Sequence, residues 1–247
     1  MIELTALGWA ALTAAALLIG VAKTALPGAA TISVAVFAAV LPARESTAAL
    51  LILLIVGDLV AVWIYRRQVD VPALLRLIPS VVVGLILGAL FLAYSDDVVM
   101  RRSIGVILLT LTALTLYLMK KGTLSSDNAL ANPRIRGGYG VLGGFTSMAA
   151  NAGGPVMTLY FVAARFDMMR FIATQAWFFF VINVVKVPFS IGLGLLKPEV
   201  LPALAILTPV VLIGAFAGRR WVRRFDQRTF TRVVIVLTVI SSLYLLR

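Results

Sequence analysis

Phe171–Leu196 reads FIATQAWFFFVINVVKVPFSIGLGLL, 26 residues whose only charge is Lys186. At about 1.5 Å per residue a helix of this length crosses a hydrocarbon core about 30 Å thick. A lysine near the middle of such a span costs about 2.5–3.5 kcal/mol on insertion scales. Ionisable groups kept at that cost face the bundle interior and mark ion or substrate paths, and an ammonium there can hold an anion. The structural alternative is a lysine that snorkels or pairs with an acid such as Asp58, the only acid embedded in an apolar run.

The rest of the chain has the same character. Of 247 residues, 62% are hydrophobic and 13% charged, against about 25% charged in a soluble domain. This implies an all-α polytopic membrane protein with room for about eight spans. The net charge of +12 sits in short loops at the ends of apolar runs. That distribution follows the positive-inside rule and argues against nucleic acid as a partner. With no Cys and no His, thiol chemistry, the commonest metal ligand and the commonest general base are missing, so neither a metal site nor an enzyme is expected. No nucleotide motif or other cofactor signature is present. Met1-Ile2-Glu3 lacks the basic start of a cleaved signal peptide, so Leu4–Ala22 is expected to stay as a membrane helix.

Two apolar blocks are broken. Leu4–Leu41 is interrupted at Lys23-Thr24-Ala25-Leu26-Pro27-Gly28, and Gly137–Ala164 at Asn151-Ala152-Gly153-Gly154-Pro155. The pieces after the breaks, 14 and 11 residues long, are too short for ordinary spans and suit re-entrant half-helices. Arg44 falls on Arg170 and Pro72 on Pro198 at an offset of 126. Pro79, Gly84 and Gly88 fall on Pro209, Gly214 and Gly218 at an offset of 130. The expected architecture is two inverted-topology repeats, each a broken re-entrant hairpin followed by three transmembrane helices. Residues 1–121 form the first repeat, 122–136 a cytoplasmic linker and 137–247 the second repeat.

Charge bias sets the orientation. Arg66 and Arg67, the group Lys120, Lys121, Arg134 and Arg136, and the group Arg219, Arg220, Arg223, Arg224 and Arg228 all become cytoplasmic if each broken block enters and returns. The Asp96-Asp97 loop and both termini then lie outside. Arg101 and Arg102 run against this scheme.

A helix that starts inside a membrane offers free N–H groups and a partial positive charge, a ready anion site. Gly28, Gly153 and Gly154 allow close approach to the backbone. Lys23 and Thr24 lie at the first break; Lys23 either faces the anion or snorkels. Asn151 either donates to an oxyanion or caps a helix. Gln175, Asn183 and Lys186 share one helix face, for an anion or for interhelical hydrogen bonds. Asp58 serves charge compensation more readily than proton coupling. Trp177 and Tyr160 read as packing residues. Gly84, Gly88, Gly214 and Gly218 read as small-xxx-small packing surfaces.

The breaks carry a resemblance. Leu26-Pro27-Gly28 with Ser46-Thr47-Ala48, and Asn151-Ala152-Gly153-Gly154-Pro155 with Ala173-Thr174-Gln175, resemble the duplicated motif of the sulfite exporter TauE/SafE family over nearly the whole chain. The first break departs from the family's glycine-rich run. The resemblance implies a multi-pass protein of the bacterial inner membrane that exports sulfite, sulfonates or related small sulfur anions without ATP hydrolysis. The residues themselves say only that an anion is bound. An anion-selective channel and a non-transport membrane assembly protein are the alternatives, and a homo-oligomer is left open.

Overall fold

The computed structural model describes residues 5–26, 29–41, 43–94, 132–192 and 194–245, together with 106, 109, 110, 113 and 117. Gly28, the Asp96-Asp97 loop, Arg101, Arg102, Lys120, Lys121 and most of segments 104–119 and 122–136 lie outside the described residues. The helices are α1 (Ala6–Thr24), α2 (Ala30–Val40), α3 (Ala43–Tyr65), α4 (Val71–Tyr94), α5 (Pro133–Ala150), α6 (Gly153–Ala163), α7 (Met168–Gly192), α8 (Leu201–Val222) and α9 (Gln227–Leu245). A short 3-10 turn, Pro198–Val200, precedes α8. There is no strand among the described residues.

Among the described residues, five stretches are long and apolar enough to cross a membrane: Ala6–Thr24, Ser46–Tyr65, Val71–Phe91, Met168–Gly192 and Pro198–Val222. Large apolar side chains stand exposed on them, including Ile78, Val82, Ile86 and Leu90 of α4 and Val181, Val185 and Phe189 of α7. Such rows belong against lipid tails, which solvate them as water cannot. The chain is a multi-pass, all-helical membrane protein.

The two breaks form as helix–break–helix hairpins. Helices α2 and α6 have 11 residues each, about 16 Å of rise, roughly half a bilayer core. Each packs on the helix before it. Helix α5 begins at Pro133, inside the segment expected as linker. Asn132 Oδ1 caps it by accepting from Arg134 N–H at 2.9 Å, and Pro133 at the first position gives up an N–H that had no helical partner. At its other end Asn151 takes the left-handed conformation, φ 51°, which asparagine tolerates better than most residues. Its N–H returns to Ser147 O at 3.0 Å, closing the helix.

The two halves interlock by the same crossing used twice. Helix α1 of the first half packs on α8 of the second, and α5 of the second on α4 of the first. A Cβ on Gly214 would meet Leu17 O at 2.2 Å, and one on Gly84 would meet Val141 O at 2.1 Å. Likewise Gly20 faces Val211 O and Gly144 faces Val81 O. The α1 and α5 residues differ by 124 positions in every such pair, and the α4 and α8 residues by 130. Glycine at these points lets the backbones touch, the packing mode of helices in lipid. Helices α3 and α7 pair across the middle. Helix α6 is buried along its length apart from Gly154, with Tyr160 and Phe161 among rings of Tyr139, Phe166 and Phe171.

Candidate anion site between the two breaks

Both helix breaks border one cavity of about 40 Å³, room for about three waters. Lys23 comes from the last turn of α1, and Ala30 and Thr31 from the first turn of α2. Ser147 and Asn151 come from the end of α5, and Gly154 from the first turn of α6. The starts of α2 and α6 have no side-chain cap; Ile32 N–H turns back to Ala29 O and Pro155 has no N–H, which leaves the N–H groups of the first two residues of each helix, Ala30 and Thr31 and Gly153 and Gly154, without a helical acceptor. Helices α3 and α7 close the sides with Asp58, Gln175, Phe179 and Asn183.

The charges are arranged in a chain. Lys23 Nζ lies 2.7 Å from Asp58 Oδ1 and 4.9 Å from the centre of the Phe179 ring. Asp58 is fully buried, and its second oxygen accepts from Asn183 Nδ2 at 2.7 Å. Lys186 donates to Ser147 O at 2.8 Å, to Asn183 Oδ1 at 3.4 Å and to Asn151 Oδ1. An ammonium has three N–H groups and no acceptor, and here each finds a neutral oxygen. Asn151 spends one amide N–H on Thr47 O at 3.2 Å, across to α3.

The sequence ranked Lys186 first as an anion contact, and the tertiary structure sets it one layer back. It does not border the cavity. It caps the C-terminal end of α5 and orients the two asparagines. Lys23 is the lysine that reaches the cavity. The two lysines do the same electrostatic work: a cation near the last carbonyls of a helix offsets the negative end of its dipole. Lys23 does this within α1, and Lys186 does it for α5 from another helix.

A family model, sulfite exporter TauE/SafE, matches residues 12–245. The chain belongs to the TauE/SafE family. No curated protein and no solved structure matches it.

In this TauE/SafE protein the remaining expected residues divide. Gln175, Asn151, Gly154, Asn183 and Asp58 border the cavity. Gln175 Oε1 is buried without a hydrogen-bond partner; turning its amide over presents the NH₂ there instead. Thr24 is directed elsewhere: its hydroxyl donates to Ala215 O at 2.8 Å, binding α1 to α8. Gly153 is a packing residue, where a Cβ would lie 2.8 Å from Gly143 O and 2.9 Å from Ser147 Cβ. Tyr160 is enclosed by aromatic rings and Trp177 packs against Phe180, so neither borders the cavity.

Sequence reasoning passed over Phe179, Thr31, Ser147 and Gly57. Phe179 had a signal, since it stands midway between Gln175 and Asn183 on the same face. Gly57 had none. It leaves space for the Lys23 stem, whose Cγ would be 2.9 Å from an added Cβ.

A surface ion pair ties the halves together near the site. Arg170, at the start of α7, donates from Nε to Asp70 Oδ2 at 3.0 Å and from Nη2 to the same oxygen. Asp70 Oδ1 caps α4 by accepting from Ala73 N–H at 3.0 Å, and Asp70 N–H donates to Thr174 Oγ1. Arg170 also lies over the Phe166 ring. Partial burial pushes the Asp70 carboxyl up, but the Arg170 and Ala73 hydrogen bonds and the Arg170 and Arg76 charges outweigh it, leaving it below the usual carboxylate value.

Proposed function

We propose that this protein is a secondary transporter of small sulfur-containing anions such as sulfite or sulfonates, working as an exporter in the bacterial inner membrane. One observation carries the reading: the Lys23 ammonium and the uncapped starts of α2 and α6 face one small cavity. Donors fixed before the ligand arrives need no reordering when it binds, and two positive helix ends strengthen them. Family membership supplies the sulfur chemistry.

The two halves are read as inverted-topology repeats, with residues 1–121 and 137–247 as the units. The twice-used crossing of α1 on α8 and α5 on α4 supports this. So does the placement of one broken hairpin from each half against the same cavity. Rocking of one half against the other would then open the cavity to either side, the usual logic of such transporters. Asp58 offsets the charge of Lys23.

Sulfite flux into proteoliposomes, with sulfonates as competitors, tests the proposal. Saturable flux that disappears in Lys23→Ala is expected. Absence of flux for every sulfur anion, in protein shown to be folded, overturns it.

A further inference from the structure

A surface cleft of about 430 Å³ lies where the turn between α3 and α4 meets the start of α7, lined by Arg67, Gln68, Asp70, Pro72, Asp167 and Arg170. The buried cavity begins little more than a turn further along α7. Arg170 borders the cleft, and Ile172 and Gln175 border the cavity. From Arg170 to Gln175 the helix rises about 7.5 Å.

Between these two linings the halves are tied. Arg170 donates from Nε and Nη2 to Asp70 Oδ2, and Asp70 N–H donates to Thr174 Oγ1 at 3.0 Å. Asp70 belongs to the first half, and Arg170 and Thr174 to the second, so the tie crosses the interface along which α3 and α7 enclose the cavity. The far end of that helix pair has a tie of its own, where Asn151 Nδ2 donates to Thr47 O at 3.2 Å near the start of α3. The cleft-side tie differs from the ion pair inside the cavity. Lys23 and Asp58 are 9% and 0% exposed, whereas Arg170 and Asp70 are 42% and 12% exposed. A pair that water reaches holds weakly, so this one can part while the inner pair stays. The Arg170 guanidinium lies 4.2 Å from the centre of the Phe166 ring, which keeps it at the cleft when Asp70 withdraws. Thr174 is fully buried behind the pair, one residue before Gln175.

We infer that the cleft is the mouth of an access path to the cavity and that Asp70, Arg170 and Thr174 form its gate, closed in this structure. The inference rests on the anion-transport reading above and deepens it: when the halves rock, this contact must break for the cavity to open toward the cleft. Opening leaves Arg170 facing the cleft with a planar fork of donors, which suits an oxyanion on its way through.

The chain has no cysteine, so one introduced as Ala176→Cys, on the cavity wall, reports access to the cavity. Its labelling by the neutral reagent 2-hydroxyethyl methanethiosulfonate is timed in the full chain in detergent, with the melting temperature read alongside. Arg170→Gln and Asp70→Asn are each expected to speed labelling by about three- to fivefold, the shift an ion pair of this exposure can carry. Asp70→Arg with Arg170→Asp, which rebuilds the pair in reverse, should slow it again toward the parent rate. Should the reversed pair not fold, Thr174→Val removes the third strand of the tie and should also speed labelling. Equal labelling in the parent and the single variants overturns the inference and leaves the transporter reading standing. Faster labelling in the variants of a folded protein that carries no sulfur anion keeps the gate and overturns the transporter reading.

Discussion

Lys23 Nζ lies 2.7 Å from Asp58 Oδ1, which joins the broken first hairpin to the middle of α3 by an ion pair inside the membrane-spanning bundle. Removing one partner of a buried pair leaves an unbalanced charge and typically costs about 3–5 kcal/mol, more than the pair itself contributes. Lys23→Met should therefore lower the melting temperature in detergent markedly, and Lys23→Met with Asp58→Asn should recover much of the loss. Flux should be absent from both. A double variant no more stable than Lys23→Met would show that the pair is not coupled.

Lys186 acts at one remove. Its three donors hold Ser147 O, Asn151 and Asn183, so Lys186→Ala takes the lysine donor from the side-chain oxygens of Asn151 and Asn183, at about 1–3 kcal/mol each before relaxation, while Ser147 O keeps the Asn151 N–H. The expected result is lost flux with reduced stability. Lys186→Arg should not restore flux, because a planar fork does not reproduce three donors from one point. Normal flux through a folded Lys186→Ala protein would contradict this role.

Gly57 should matter for affinity more than for folding. An added methyl meets the flexible Lys23 stem at 2.9 Å and displaces the ammonium. Gly57→Ala is expected to raise the half-saturating anion concentration by about tenfold, roughly 1.4 kcal/mol, with a melting temperature close to that of the parent.

The paired crossing makes a symmetric prediction. Gly214→Ala and Gly84→Ala each bring a Cβ to within 2.2 Å or less of a facing carbonyl oxygen. Overpacking of this kind costs about 1–3 kcal/mol or more. Both variants should lose stability to a similar degree, measured by thermal unfolding in the same detergent. A loss confined to one of them would break the equivalence of the two crossings.

The Asp70–Arg170 pair should show as a pH effect. The folded carboxyl titrates below its unfolded value. Its stabilisation is therefore fully present above the unfolded value near 3.9, and is lost as pH falls through the folded one. Because Arg170 is 42% exposed, solvent screening holds the contribution to about 1 kcal/mol or less. Asp70→Asn should lower the melting temperature slightly at pH 7, with the difference from the parent shrinking as pH drops below about 4. A difference independent of pH would assign the effect to the lost α4 cap instead.

Much of the site was legible because its signals are local. A charge in an apolar run, a helix broken by proline and glycine, and polar residues on one face of a helix are all visible one segment at a time. The half-helices α2 and α6, the face formed by Gln175, Asn183 and Lys186, and the glycine packing surfaces are of this kind. Thr24 and Gly153 looked like site residues because they adjoin the breaks. Whether a hydroxyl at a break meets a ligand or the carbonyl of Ala215 depends on which helix crosses there, and Ala215 is 191 positions away. Gly57 carried no local signal, since its value lies in the room it leaves for a side chain from α1.

The sequence by itself determined that this chain lies in a membrane, that two of its apolar blocks are broken by proline and glycine, and that one lysine stands at the first break and another inside a long apolar run. These follow from composition and periodicity, because the bilayer rewards apolar length and penalises stray charge regardless of partner. Tertiary structure alone decided which lysine reaches the cavity. Local sequence put Lys186 mid-span and ranked it ahead of Lys23, which stands at the first break. Lys23 is held at the cavity by Asp58 from α3, while Lys186 is drawn back by carbonyl oxygens from α5 and α7. The choice rests on where acceptors from distant segments fall, and only the packed bundle brings them together.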